Sequence, residues 1–197
     1  MTTIFIAGSI TIKHLDVKVQ ERIMNIVHQN FDVIVGDADG VDTSIQEFLV
    51  DVNYSRVTVF CAGDTPRNNV GNWMINNVPT YHKPGSRAYF AAKDIAMVKA
   101  ADSGLMIWDT KSTGTLNNVI ELLQDKKFSW VFINKLKMFQ AIKNVNTLES
   151  LLERMPPPAR LKADTKINLN ERVGALRSRE QQMALLAEWV EADATHA

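Results

Sequence analysis

Apolar runs too short for helices alternate with longer segments of helical period, and that alternation admits few folds. Residues 3–7, 32–35, 56–60, 104–108 and 130–133 are apolar, mostly β-branched and aromatic, and read as strands. Between them Leu15, Val19, Ile23 and Ile26 recur at helical spacing over about residues 16–29, and Ile45, Phe48 and Leu49 mark the next helix. Ala91, Ile95 and Val98 share one face of a helix over residues 87–101, and Leu116, Val119, Ile120 and Leu123 one face over 115–124. Strands alternating with helices of such length form βαβ units around a parallel sheet. Right-handed crossovers then place helices on both faces. The expected fold is α/β: a Rossmann-like, doubly wound, mainly parallel sheet of about five to six strands, with residues 138–142 as an edge strand.

This unit accounts for residues 1–155 and closes on a short helix carrying Leu148, Leu151, Leu152 and Met155, capped by Asn146 or Thr147. Pro156-Pro157-Pro158 stops that helix and opens a stiff linker, so residues 156–197 are expected to be a Pro-rich linker and a C-terminal helix. Leu169, Val173, Leu176, Met183, Leu186, Ala187 and Val190 give this helix an apolar stripe that must be buried on its own domain or on a second subunit. A homo-oligomer, in the form of a dimer, is expected. Residues 61–86 show no clean period and are long for a connection, which points to function or partial helix there.

Twenty-two basic and twenty-two acidic residues cancel. Such a chain lacks the basic excess of a non-specific nucleic-acid binder, so no nucleic-acid partner is expected, although a local anion site stays open. No apolar run approaches membrane-spanning length, and no membrane partner is expected. The single cysteine, Cys61, can form no internal disulfide and reads as a packing residue. With no charged–apolar–cleavage pattern at the N-terminus, a cytoplasmic chain is expected.

Six of the nine glycines (Gly8, Gly36, Gly40, Gly63, Gly71 and Gly114) follow the carboxyl ends of expected strands, the edge at which open parallel sheets bind ligands. Ser112-Thr113-Gly114-Thr115-Leu116-Asn117-Asn118 stands just after one strand and opens a helix. Ser112 or Thr113 can cap its first turn, and Gly114 lets backbone approach a ligand. The free N–H groups and positive dipole end there suit a phosphate. In Gly36-Asp37-Ala38-Asp39-Gly40-Val41-Asp42 the carboxylates either cap a helix or accept from ribose hydroxyls. No histidine or further carboxylate stands nearby at ligand spacing, so neither a metal nor a cofactor is expected. Arg67 offers bidentate donors to phosphate, and Asn68, Asn69 and Asn72 can read a base edge; Trp73 either stacks on a base or anchors its loop. A dinucleotide glycine fingerprint and a Walker lysine loop are both absent.

The order Ile-Ala-Gly-Ser at 6–9, Gly-Asp-Ala-Asp-Gly-Val-Asp at 36–42, Lys93-Asp94, and Ser-Thr-Gly-Thr at 112–115 resembles the SLOG superfamily. These are Rossmann-like domains related to the Lonely Guy phosphoribohydrolases and to DNA-processing protein A; the pattern is also similar to nucleoside 2-deoxyribosyltransferases. The resemblance spans residues 2–134 and implies nucleotide binding at these loops. It implies that Gly8 and Ser9 line the floor, that Gly36, Asp37, Gly40 and Asp42 form the glycine–acid loop, and that Ser112, Gly114 and Thr115 form the phosphate turn. Lys93 stands where the phosphoribohydrolases carry an arginine, and Asn118 where they carry a catalytic Glu in Pro-Gly-Gly-x-Gly-Thr-x-x-Glu; the Pro-Gly-Gly is missing. An amide cannot do a carboxylate's acid–base work. The expected function is binding of a nucleotide or nucleotide-derived small molecule, as a ligand-binding or sensor protein. The alternative is an N-glycosidic-bond hydrolase or transferase with Asp94 and Asp109 as catalytic carboxylates.

Overall fold

A computed structural model describes residues 1–194 and has the expected α/β class. β1 (Thr3–Gly8), α1 (Val17–His28), β2 (Asp32–Gly36), α2 (Val41–Asp51) and β3 (Val57–Ala62) alternate along the chain. β4 (Met74–Val78), α3 (Arg87–Ala100), β5 (Ser103–Trp108), α4 (Thr113–Gln124) and β6 (Ser129–Ile133) follow. β7 (Met138–Ile142), α5 (Val145–Leu152), α6 (Pro157–Ile167) and α7 (Leu169–Ala194) complete it. The sheet has seven strands in the order β4-β3-β2-β1-β5-β6-β7, parallel except for β7.

The strand beyond the expected number is β4, inside the stretch without a period. Its first four residues, Met-Ile-Asn-Asn, are exposed, and it is held by parallel pairing to β3 from Thr58↔Met74 to Ala62↔Val78. An edge strand whose single partly buried side chain is Val78 has no apolar alternation to read. The central strands divide by side-chain parity. Phe5, Ala7, Met106 and Trp108 join the core under α3 and α4, while Ile4, Ile6, Leu105 and Ile107 join the core under α1 and α2.

The C-terminal segment differs from a linker. Pro156 is the N-cap of α6 and the next two prolines occupy its first turn, where a missing N–H leaves no intrahelical bond unmade. Asn168, left-handed at φ 51°, separates α6 from α7, so one expected helix is two. Ala159, Ala163, Ile167, Leu169, Val173 and Leu176 join the core formed with α4 and α5. Met183 and Leu186, further along the stripe, are exposed; the side chain of Val190 lies outside the described residues. The cap of α5 is Asn144, in a reciprocal capping box with Thr147. Among the described residues no helix is long and apolar enough to cross a membrane.

Successive strands step outward from β1 to β4, and α3 then carries the chain back to place β5 on the other side of β1. The strand order therefore reverses between β1 and β5. In open α/β sheets this reversal leaves a crevice at the carboxyl ends.

Candidate functional site

The β5–α4 turn is built around Asp109. Its Oδ1 accepts from the N–H groups of Lys111 (2.9 Å) and Ser112 (2.6 Å), and its Oδ2 from the Thr11 hydroxyl (2.8 Å). The Asp109 N–H donates to Ser9 Oγ at 3.2 Å, which ties the turn to the end of β1. Burial pushes this carboxyl up, but the donors from Lys111, Ser112, Thr11 and Ser9 hold it below the usual range. Between them Thr110 is buried at φ 69°, a costly conformation for a β-branched residue. Asp109 thus shapes the backbone. Ser112 is the N-cap of α4 and accepts from Thr115 through both its N–H (3.4 Å) and its hydroxyl (3.0 Å). The first-turn N–H groups of Thr113 and Gly114 precede any intrahelical acceptor and lie at the crevice. A Cβ built on Gly114 would meet no protein atom within 4 Å.

A buried charge cluster stands behind this turn. Lys93, on α3, lies 3.3 Å from Asp37 Oδ1 and 3.6 Å from Asp94 Oδ1. It is 4% exposed, while Ile95, expected on the inner face, is 39% exposed. The helix is therefore rotated to bring an ammonium among carboxylates. Arg67 clasps Asp37 through Nε (3.0 Å), Nη2 (2.8 Å) and its backbone N–H (3.1 Å), and its guanidinium lies 4.6 Å from the centre of the Phe90 ring. The planar donors proposed for phosphate are thus engaged by a neighbouring carboxylate. Gly36 makes room for the cluster, since a Cβ there would sit 2.3 Å from Asp42 Oδ2 and 2.6 Å from Lys93 Nζ.

The carboxylates separate electrostatically. Burial pushes Asp37 up, yet the Arg67 hydrogen bonds and the Lys93 charge outweigh it and leave the group at about 2. Burial raises Asp42 to about 6 against the attraction of Lys93. Among the described residues Asp42 Oδ1 has no hydrogen-bond partner. Burial also raises Asp94, again opposed by Lys93. Asp94, Asp42 and Asp37 together hold Lys93 above its usual range despite its own burial.

Two connected spaces open between these groups. An inner chamber of about 310 Å³ is bounded by Gly8, Asp42, Lys93, Thr115 and Asn118. An outer one of about 660 Å³ is bounded by Asp109, Lys111, Thr113 and Asn117. Ile10, Phe90, Asp94, Ser112 and Gly114 border both. Ser9, Asp37, Gly36 and Gly40 support the walls from behind; Ser9 and Asp37 are themselves buried. Asn68 is held by donating to Asp37 O and Asp39 Oδ1, and Trp73 anchors its loop by donating from Nε1 to Tyr54 O. Arg87, Lys162 and Lys166 at the outer mouth were invisible to motif reading. Arg87 opens α3, whereas Lys162 and Lys166 come from α6 and are brought to the site by the packing of α6 against α4.

No family model matches the chain, and no curated protein matches it. Among solved structures the chain is similar to DNA processing protein A from Helicobacter pylori, at a TM-score of 0.51 and 14% identity over 85% of this chain and 80% of that one. A likeness at this identity shows a shared fold. That structure was described for its single-stranded DNA binding mode. The exclusion of nucleic acid drawn from cancelling charges is corrected accordingly, because a chain of this architecture binds single-stranded DNA. Net charge sums the whole surface, whereas affinity for phosphates depends on the local field, and here four cationic side chains border one mouth.

Proposed function

We propose that this chain is a SLOG-like domain that binds a nucleotide, with its phosphate at the start of α4, and does not turn it over. Gly114 carries the reading. It opens the helix beside the uncapped Thr113 N–H, in a turn fixed by Asp109 and Ser112, and no neighbouring protein atom requires a glycine there. A glycine required by no protein neighbour fits close approach by a ligand. Binding without turnover follows from the carboxylates: Asp109 is occupied by backbone donors, and Asn118 is an amide. Asp94, the other carboxylate of the glycosidic-bond alternative, borders both chambers but is paired with Lys93 at 3.6 Å.

The test is Gly114→Asp. An acidic residue suits a first helical turn, so the thermal midpoint should hold or rise slightly. Calorimetry with mononucleotides, cyclic nucleotides and ADP-ribose derivatives should show binding to the wild type, weakened by at least about tenfold in the variant because a fixed carboxylate occupies the anion position. Equal affinities in the two proteins, or no binding by the wild type, would sink the reading.

A second reading has its own support. Arg87, Lys111, Lys162 and Lys166 around the outer chamber suit the successive phosphates of a single strand. In a gel shift with an oligonucleotide, affinity should fall steeply as salt is raised, and Lys162→Glu with Lys166→Glu should weaken binding at least about tenfold. An unaltered shift in the double variant would count against it.

A further inference from the structure

The two faces of the sheet are covered unequally. Residues of α3, α4, α5, α6 and α7 join the core on one face, whereas only α1 and α2 contribute helical residues to the core on the other. Seven strands about 4.8 Å apart outspan two helices about 10 Å across. At the amino ends of β1, β5 and β6, beside the second half of α1, a pocket of about 390 Å³ is left, on the sheet edge opposite the crevice. Ile4, Ile26 and Leu105 give it an apolar border, and Phe31, Phe128 and Trp130 an aromatic one. That size and lining fall within the range of small-molecule pockets. Arg22 also borders it and is partly buried. Its guanidinium is held 4.6 Å from the centre of the Trp130 ring and 4.8 Å from that of Phe139. Three and four residues away on α1 stand Lys18, Val19, Asn25 and Ile26, so the helix offers it no carboxylate. Among the described residues it forms no salt bridge. The one carboxylate on the pocket's border, Asp102, accepts instead from the Thr3 N–H through Oδ2 at 2.7 Å. Stacking on rings fixes the plane of a guanidinium and leaves its in-plane donors for an acceptor.

We propose that this pocket is a second binding site, for a small planar aromatic carboxylate whose ring lies among Phe31, Phe128 and Trp130 and whose carboxylate takes the donors of Arg22. A neutral ring would leave the guanidinium without an acceptor, and an inorganic anion would leave the apolar border facing water. A flat ring joined to a carboxylate satisfies both, the ring by aromatic packing and the acid by a charge-assisted, bidentate pair. The site is independent of nucleotide binding, since no residue borders both this pocket and either chamber of the crevice.

NMR titration of the full chain with cinnamate, its neutral isostere cinnamamide and the non-planar 3-cyclohexylpropionate tests it. Cinnamate should bind with a Kd on the order of 1 mM or tighter, as suits so small a ligand. It should bind at least about tenfold tighter than the amide, which lacks the charge, and at least about threefold tighter than the aliphatic acid, which lacks the flat ring. In Arg22→Gln the preference for cinnamate over cinnamamide should shrink to below about threefold, while cinnamamide binds as it does to the wild type and so reports an intact pocket. No saturable cinnamate binding up to about 10 mM overturns the proposal, as does equal affinity for the acid and the amide. Equal affinity for cinnamate and 3-cyclohexylpropionate overturns the aromatic part of it. Unaltered cinnamate affinity in Arg22→Gln overturns it by placing the carboxylate elsewhere, at the cationic mouth of the crevice for example. Loss of acid and amide together in that variant overturns it by making Arg22 a structural residue.

Discussion

Replacing Asp37 by Asn is expected to destabilise the fold by about 3–5 kcal/mol at pH 7, because it removes one partner of a buried charge network. Asp37 accepts from the Arg67 Nε, Nη2 and backbone N–H groups and lies 3.3 Å from Lys93 Nζ. The variant leaves Lys93, only 4% exposed, with less compensation. The pH dependence has a definite sign. A carboxyl depressed from 3.8 to about 2 in the folded protein contributes stability that is present above pH 3.8 and lost as pH falls through about 2. Urea unfolding of both proteins at pH 7 and at pH 3 should therefore show a deficit that narrows in acid. A difference below about 1 kcal/mol at pH 7 would mean that Asp37 is not the network's keystone.

Asp42→Asn should do the opposite. Its carboxyl rises from 3.8 to about 6 on folding, so ionisation opposes the folded state. The contribution is fully present below pH 3.8 and lost as pH climbs through about 6, amounting to about 3 kcal/mol. Asn resembles the protonated acid. The variant should match the wild type near pH 4 and exceed it by up to about 3 kcal/mol near pH 8. Parallel unfolding curves across that range would refute the raised pKa.

The two effects come from carboxylates five residues apart in a single loop and helix start, Gly36-Asp37-Ala38-Asp39-Gly40-Val41-Asp42. Their grouping was legible, and so was their position at the end of β2. Their division of labour was not, because it depends on Arg67 and Lys93, which lie 30 and 56 residues beyond Asp37. The glycines show the same limit. Gly36 reads as a ligand contact in sequence but clears space for Asp42 and Lys93, whereas Gly114 meets nothing. Chain spacing cannot distinguish a glycine that fits protein from one that leaves room for something else. Asp109 likewise reads as a free carboxylate until its backbone partners are visible.

What the sequence by itself determined is what depends on near neighbours. Period-two and period-3.6 patterning set the strands and helices of the parallel sheet, and Ser112 set the start of α4. Tertiary structure alone decided which groups meet. It added β4, held by its pairing to β3 and by Val78 against the core, turned α3 so that Lys93 rather than Ile95 faces inward, and brought α6 with Lys162 and Lys166 to the outer mouth. These outcomes rest on contacts between residues distant in the chain and on the desolvation of charges, for which local patterning contains no signal.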